Sequence, residues 1–534
     1  MKKTLLSAFA ACAVCVSANA TAWNADITGI FDADGAVYAT ETAVAADGSV
    51  IVTGAFNAEA TIAGNPFEPV GTSAYIAKYK ADGTAAWSVA LTGAATITAI
   101  TTDAEGNIYV AGRYADEVTL GSTDGKTDVV KGIMVWGEYS TYKDASFIAR
   151  YSAAGALTAV SSFVPEEIAA AAASAAANPE GIYFSTRRFI INNLTVEGGN
   201  VYASAVYAGE LTKDGTTITG TYNDPWMGGF ITDLVSAGVF TVKATDLTEF
   251  KSVITCSTQG NLATETDQYS ASSVAFTVNG GSVYAIFAGN GPLQYKAADD
   301  SRISDAAFAT YNYAFVEVKD GKIAQMSETA CPEAGAEPAY VLAEVFCDGT
   351  TLYAVGDEKF AENYGGENER FGHDIFVFKA AVNNLAGATK FTKEEMDGDV
   401  TYYDVTAAAL LSDGNIAIST LGFYNKSGEG YKHGDFAGAA KSYVYNGGEA
   451  LSAATVPAAC SVAANGVNVA YQTVSAEGVK INADIDAAGV EGIVIDSNDA
   501  PVEYFNLQGI RVAEPQTGVV IRRQGNKVQK VLVK

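Results

Sequence analysis

Apolar and polar positions alternate along this chain in short runs, and the runs recur in pairs. Thr40 to Gly54 reads TETAVAADGSVIVTG, and Ile97 to Gly112 reads ITAITTDAEGNIYVAG. Each is a short alternating strand, an acidic-Gly turn and a second strand rich in β-branched residues. That order predicts a β-hairpin, because Gly takes the positive φ of a tight turn at no steric cost. The pattern returns as VEGGNVYASAV from Val196, VNGGSVYAIFA from Val278, CDGTTLYAVG from Cys347 and SDGNIAIST from Ser412, giving six copies of a strand pair, a and b. A connection of variable length leads from each pair to a third strand, c: AYIAKYKADG (from Ala74), SFIARYSAAG, VFTVKATD, AFVEVKDG, DIFVFKAA and KSYVYNGG. Most of these pass through a second small-residue turn into a fourth, d: AAWSVALTG, ALTAVSSF, FKSVITC, KIAQMSET, ATKFTKE and EALSAATV.

Four antiparallel strands per unit, repeated through residues 40–456, predict the blades of an all-β propeller. The phrases DAEGNIYVAGRY, SAYIAKYKADGTAAWSVALTG and SFIARYSAAGALTAV resemble the bacterial β-propeller repeat family called SBBP. The first two units match it well and the later four are degenerate. The resemblance implies a propeller and little about function, since unrelated secreted proteins use that repeat.

One phrase precedes any complete unit. Ala22–Gly29 reads AWNADITG, nearly the same as AWSVALTG at Ala86–Gly93, which is strand d of the first unit. An orphan strand d at the N-terminus is expected to close the ring by joining the last blade, since an unclosed ring exposes sheet edges. Six blades are expected, or seven if strands lie hidden between Pro165 and Asn193, where IAAAAASAAANPEG favours helix. The expected organisation is a signal peptide over 1–20, the propeller over 21–457, a linker with lead-in strands over 458–490 and a small C-terminal β domain over 491–534.

Composition agrees: 49% apolar residues, 53 Gly, 28 Tyr and 24 Phe suit many short strands and tight turns. A formal charge of −28 repels phosphate backbones and anionic lipid, so nucleic acid is not an expected partner. Lys2 and Lys3, the apolar stretch Thr4 to Val16 and Ala18-Asn19-Ala20 read as a secretory signal cut after Ala20. Lipidation at Cys12 or Cys15 is the weaker alternative. No later run is apolar and long enough to span a bilayer, and the expected address is secreted or outer cell surface. Cys256, Cys331, Cys347 and Cys460 remain after cleavage, open to any of three pairings or none.

The connections locate a candidate site. In an antiparallel blade the a–b and c–d turns lie on one face, while the long b–c and d–a connections lie on the other. Binding residues concentrate in variable loops on a rigid scaffold. The long connections hold Tyr114, Trp136, Tyr139, Tyr222, Trp226, Tyr295, Tyr364, Arg370, His373, Tyr431 and His433 among many carboxylates. The ligand-binding candidates are Trp136, Tyr139, Tyr222, Trp226, Tyr364, Arg370, His373, Tyr431 and His433. Aromatic faces beside carboxylates suit sugar rings, whose C–H faces stack while their hydroxyls hydrogen-bond. The bland alternative is that each aromatic packs its loop onto the blade tops.

No catalytic signature, metal-ligand spacing or cofactor motif is present. His373-Asp374 and His433-x-Asp435 lack a third ligand. Asp32-Ala33-Asp34-Gly35 starts like a calcium loop, but its twelfth position is Ala43. The leading expectation is a non-catalytic exported propeller that binds a glycan, a peptide or another envelope protein on its long-loop face. The alternatives are a polysaccharide-acting hydrolase or lyase with carboxylates in the funnel, and a structural envelope component.

The C-terminus reverses the charge. From Ala500 it carries six Lys or Arg against two Asp or Glu, in short strands VEYFNL, IRVA, GVVIRR and KVLVK. The VEYFNLQGIRV opening, Gly518-Val519-Val520-Ile521 and the KVLVK end resemble the C-terminal sorting domains of type IX secretion substrates of Bacteroidetes, although that family more often has Tyr where Val520 stands. The resemblance implies recognition by outer-membrane secretion machinery.

Overall fold

A computed structural model of the chain is a β-propeller. The structure describes residues 20–28, 39–132, 135–136, 141–142, 145–166, 168–170, 187–220, 236–258, 270–290, 293–304, 311–330, 339–362, 370–395, 400–424, 440–446, 451–453, 460–475, 478–486, 502–505, 511–512, 518–524 and 527–533. Blade 1 takes strands a to d from Ala39–Val44, Val50–Phe56, Ser73–Tyr79 and Ala85–Thr92. Blade 2 uses Ala95–Thr102, Ile108–Tyr114, Ala145–Tyr151 and Leu157–Phe163. Blade 3 uses Arg188–Glu197, Asn200–Lys213, Ser236–Lys243 and Lys251–Thr258. Blade 4 uses Ser270–Asn279, Ser282–Asn290, Tyr311–Lys319 and Lys322–Ala330. Blade 5 uses Ala339–Cys347, Thr351–Glu362, Arg370–Ala381 and Asn384–Glu395. Blade 6 uses Val400–Leu410, Ile416–Tyr424, Ala440–Tyr445 and Leu451–Ala453. Each of the six hairpins and third strands read from the sequence is in its expected blade.

A seventh blade closes the ring, and it lies elsewhere than expected. Its strands a, b and c are Ser461–Asn465, Asn468–Ser475 and Gly478–Asp486, and its outer strand d is the N-terminal Ala20–Thr28. Residues 460–475 and 478–486, expected within a linker with lead-in strands, are therefore part of the propeller, which does not end at 457. Nor does the first strand join the EALSAATV blade, whose own strand d is Leu451–Ala453. The stretch around 165–193 supplies helix at residues 166 and 168–170 and then strand a of blade 3. Strand a of each blade touches strand a of the next, from blade 1 round to blade 7 and back to blade 1. Between successive blades lie seven apolar clusters, one per interface. Strands b and c are buried on both faces, as in Val50–Phe56 and Ser73–Tyr79, because each blade is covered on two sides by its neighbours.

Long connections between strands b and c do more than cross a face. Those of blades 1, 2 and 4 fold into hairpins: Ala60–Ile62 with Asn65–Phe67, Glu117–Leu120 with Asp128–Lys131, and Leu293–Ala297 with Ser301–Ile303. Each hairpin pairs with the outer strand of the preceding blade, through Thr61–Thr28, Thr119–Thr92 and Tyr295–Cys256. Two of the tips reach the c–d turn of their own blade, where Thr123 N donates to Gly155 O (3.1 Å) and Asp299 N to Gly321 O (2.9 Å). Radial sheets diverge outward, so these hairpins fill the wedges between blades and cover outer edges that would otherwise be open.

The chain divides into two compact units, Met1–Ile485 and Asp486–Lys534. The second is a sheet of four strands, Val502–Phe505, Arg511–Val512, Gly518–Gln524 and Lys527–Val533, as the sequence pattern predicts.

Candidate functional site

Strand a of blades 1 to 6 carries the same irregularity at the same level. Its register against strand b slips between Ala39 and Thr42, Ile97 and Ala99, Ile191 and Asn193, Ala271 and Ser273, Leu342 and Glu344, and Val405 and Ala407. Strand a of blade 7 pairs without a slip. A bulge leaves a residue out of the ladder and re-aims its neighbours. Here the bulges surround a cavity of about 290 Å³ on the axis, walled by Glu41, Thr98, Asn193, Ser273, Glu344 and Thr406, one from each of blades 1 to 6, among other residues.

Side chains from adjacent blades take up the backbone groups freed by the slips. Ile191 N donates to Ser146 Oγ at 3.2 Å, Leu342 N to Ser273 Oγ at 3.0 Å and Val405 N to Asp357 Oδ2 at 3.1 Å. In each case the acceptor belongs to the preceding blade. The closing seam is served by Gln472 of blade 7, fully buried, whose Nε2 donates to Glu41 O (2.9 Å) and Thr42 Oγ1 (3.0 Å). Thr42 Oγ1 also lies 2.8 Å from Ser461 Oγ. Asn193 reaches past blade 4 to donate from Nδ2 to Ala343 O (2.8 Å), while its Oδ1 accepts from Ser204 Oγ (3.0 Å).

Two carboxylates face this cavity. Burial pushes the Glu344 carboxyl up to about 7, against a hydrogen bond from Asn193 that pulls it down. Glu41 is driven well above the ordinary carboxylate range, by burial first and by the Glu344 charge second. Among the described residues no Lys or Arg lines the cavity. These residues carried no motif in the sequence. Their only signal was that TETAVA and AEVFCD each carry a Glu within an inner strand.

The expected ligand residues fare differently. Trp136 is in a two-residue strand paired with Thr141. Arg370 and His373 are not loop residues but lie in strand c of blade 5, opposite Glu362 and Lys359. Tyr139, Tyr222, Trp226, Tyr364, Tyr431 and His433 lie outside the described residues, as do Asp32–Gly35 and Asp435. Tyr114 and Tyr295 prove to be core: both are buried, packing on Phe147 and Phe287. Cys256, Cys347 and Cys460 carry free thiols. Among the described residues no group of three or more His, Cys, Asp or Glu could hold a metal, and no helix is long and apolar enough to cross a membrane.

No family model and no curated relative matches the chain, so the SBBP-type and sorting-domain resemblances rest on the quoted motifs. Solved structures that it is similar to include β-propeller domains. The β-propeller domain of Myceliophteria thermophila Cps50 (Swd1) is 8% identical over 85% of this chain and 98% of that one, with a TM-score of 0.36. The propeller domain of the Trilobed protease from Pyrococcus furiosus is 10% identical over 84% and 94%, TM-score 0.35. A Penicillium chrysogenum α-L-arabinanase complexed with arabinobiose is 11% identical over 79% and 98%, TM-score 0.33. The class follows from the strand pairing itself: a seven-bladed β-propeller closed by its own N-terminal strand.

Proposed function

We propose that this is an exported, non-catalytic binding propeller, released by cleavage near Ala20, that holds a glycan, a peptide or another envelope protein on the face bearing its b–c connections. One observation carries the reading. Antiparallel pairing of strands b and c, with Tyr114 opposite Ala145, Tyr207 opposite Ser236, Glu362 opposite Arg370 and Leu421 opposite Ala440, supports the reading that the b–c connections of blades 2, 3, 5 and 6 leave the same end of their sheets. The sequence of these connections is rich in aromatic residues, a composition that suits sugar stacking or peptide capture. The C-terminal unit, basic from Ala500 onward, is the part that outer-membrane secretion machinery would read. A glycan array probed with the mature chain tests the carbohydrate form, and binding that survives both Trp136→Ala and Trp226→Ala removes it.

The polysaccharide hydrolase or lyase keeps a second place for one reason: Glu41 and Glu344 converge on one cavity with raised affinities for protons, the raw material of an acid–base pair. Release of reducing ends from polysaccharides by the mature chain, abolished by Glu344→Gln, would move this reading to first.

A further inference from the structure

The interfaces between blades are unequal. Blades 7 and 1 meet through large side chains such as Phe56, Tyr75 and Ile481, and blades 5 and 6 through Ile375, Tyr443 and Tyr445. Between blades 6 and 7 the buried apolar cluster, among the described residues, is Ala407, Ala409 and Val462. The cause lies in blade 7 itself. On its strand c, Val479, Ile481, Ala483 and Ile485 pack toward blade 1, which leaves Lys480, Asn482 and Asp484 on the face toward blade 6. On its strand d, Trp23, Ala25 and Ile27 pack toward blade 1, and the alternate residues Ala22, Asn24 and Asp26 are exposed. Blade 7 is therefore apolar on one side and polar over the outer half of the other. Nor can it send a wedge into the space beside blade 6, because its b–c connection, between Ser475 and Gly478, is two residues long. Its polar contacts with blade 1 are many by comparison: Gln472, Ser461 and Asn465 all hydrogen-bond there, and Trp23 holds the Ala81 carbonyl.

We propose that the closed ring has a side gate between blades 6 and 7: blade 7, locked to blade 1, parts from blade 6 as a unit while the other interfaces stay shut. Opening there uncovers two alanines and a valine at its centre, and hydrates polar groups that gain little from closure. The N-terminal strand is a stronger point than its place in the chain suggests. Detaching it would break its pairing with strand c and pull Trp23 and Ile27 out of the apolar cluster shared with blade 1. The gate also has somewhere to lead. Among the described residues lining the axial cavity, each of blades 1 to 6 contributes and blade 7 does not, so blade 7 closes the ring without walling the cavity. The gap it closes lies beside Val405 and Thr406, the blade 6 part of that wall. The gate is separate from the long-loop face, so it stands whether or not that face binds sugar.

Thiol labelling of the full mature chain under native conditions tests this, because two other interfaces already carry reporters. Cys460 is buried between blades 7 and 1, and Cys256 between blades 3 and 4. Ala409→Cys and Val462→Cys, made separately, each place a further thiol between blades 6 and 7. Iodoacetamide labelling is followed peptide by peptide by mass spectrometry, and each rate is divided by that of the same thiol in the urea-unfolded chain. The introduced thiols should react at least tenfold faster than Cys460 and Cys256, and urea below the unfolding transition should accelerate them first. Equal rates for all three positions would mean that the ring opens only as a whole, and would overturn the proposal. So would a Cys460 as reactive as the introduced thiols, since blade 7 would then be leaving both neighbours. Should both variants fail to fold, hydroxyl-radical footprinting of the parent decides: oxidation of Val462 ahead of Val479 and Ile481 supports the gate, and oxidation level with them or behind them sinks it.

Discussion

The indole Nε1 of Trp23 donates to the carbonyl of Ala81 at 3.0 Å, and the ring packs beside Tyr79. One blade further on, Trp87 Nε1 donates to Ala153 O at 3.1 Å and stacks on Tyr151. In both, a tryptophan near the start of an outer strand clamps the c–d turn of the following blade. The near-identity of AWNADITG and AWSVALTG has this cause. The two octets occupy equivalent places in successive blades, though they come from opposite sides of the ring's seam.

Replacing either tryptophan by Ala removes a hydrogen bond and a large packed surface. Phe or Trp to Ala in a full core costs about 3–5 kcal/mol, and the half-buried Trp23 should cost somewhat less, about 2 kcal/mol. Trp87 is buried and should cost more. Chemical denaturation of the two variants checks the order, and an unaffected Trp23→Ala variant would mean that the seam is held by something else.

The turns that receive these rings need glycine twice over. Gly83 and Gly155 have φ of +83° and +84°, and a Cβ on them would sit 2.8 and 2.7 Å from the Trp23 and Trp87 rings. Gly83→Ala and Gly155→Ala should each lose about 1–3 kcal/mol, from the strained backbone and the displaced indole together. A fall in Tm with quenched or red-shifted tryptophan emission is the expected readout.

Six blades were legible because each carries its own hairpin phrase. The seventh was not, for a physical reason. Its strands b and c are separated by two residues, between Ser475 and Gly478, so no long connection marks the unit. Its fourth strand is supplied from the other end of the chain. The closing role of the first strand is readable from the repeated octet, whereas its partner strands read in sequence as a linker with lead-in strands. The bulges were illegible, since a one-residue slip leaves composition and period nearly unchanged while turning Glu41 and Glu344 toward the axis. Tyr114 and Tyr295 read as loop residues in sequence because one ends strand b and the other lies beyond it, and here each anchors a wedge to the core.

Gln472 is a fully buried amide at the seam, and its Nε2 serves two acceptors on blade 1. Gln472→Leu leaves Glu41 O and Thr42 Oγ1 without this donor, which should cost about 1–3 kcal/mol. Equilibrium unfolding measures it. Loss confined to blade 7 would show as faster amide exchange at 461–486 before the rest of the ring opens.

Glu344 and Glu41 make stability pH-dependent in a definite direction. Their folded-state proton affinities are raised, so the folded chain holds protons that the unfolded chain releases above about pH 4.3. This contribution to stability is present at pH 4–5 and is lost as pH climbs toward and through about 7. Glu344→Gln should flatten the decline between pH 5 and 8 and stabilise the chain at the alkaline end by on the order of 2 kcal/mol. Identical pH profiles for parent and variant would show that Glu344 is solvated as in an unfolded chain.

Hydrogen exchange of the amides in 20–28, read by mass spectrometry together with 478–486, bears on the closed ring more than any substitution does. If the first strand completes the seventh blade, both segments are protected and open together. Exchange of 20–28 at the rate of a free peptide, while 478–486 and the other blades stay protected, would contradict it.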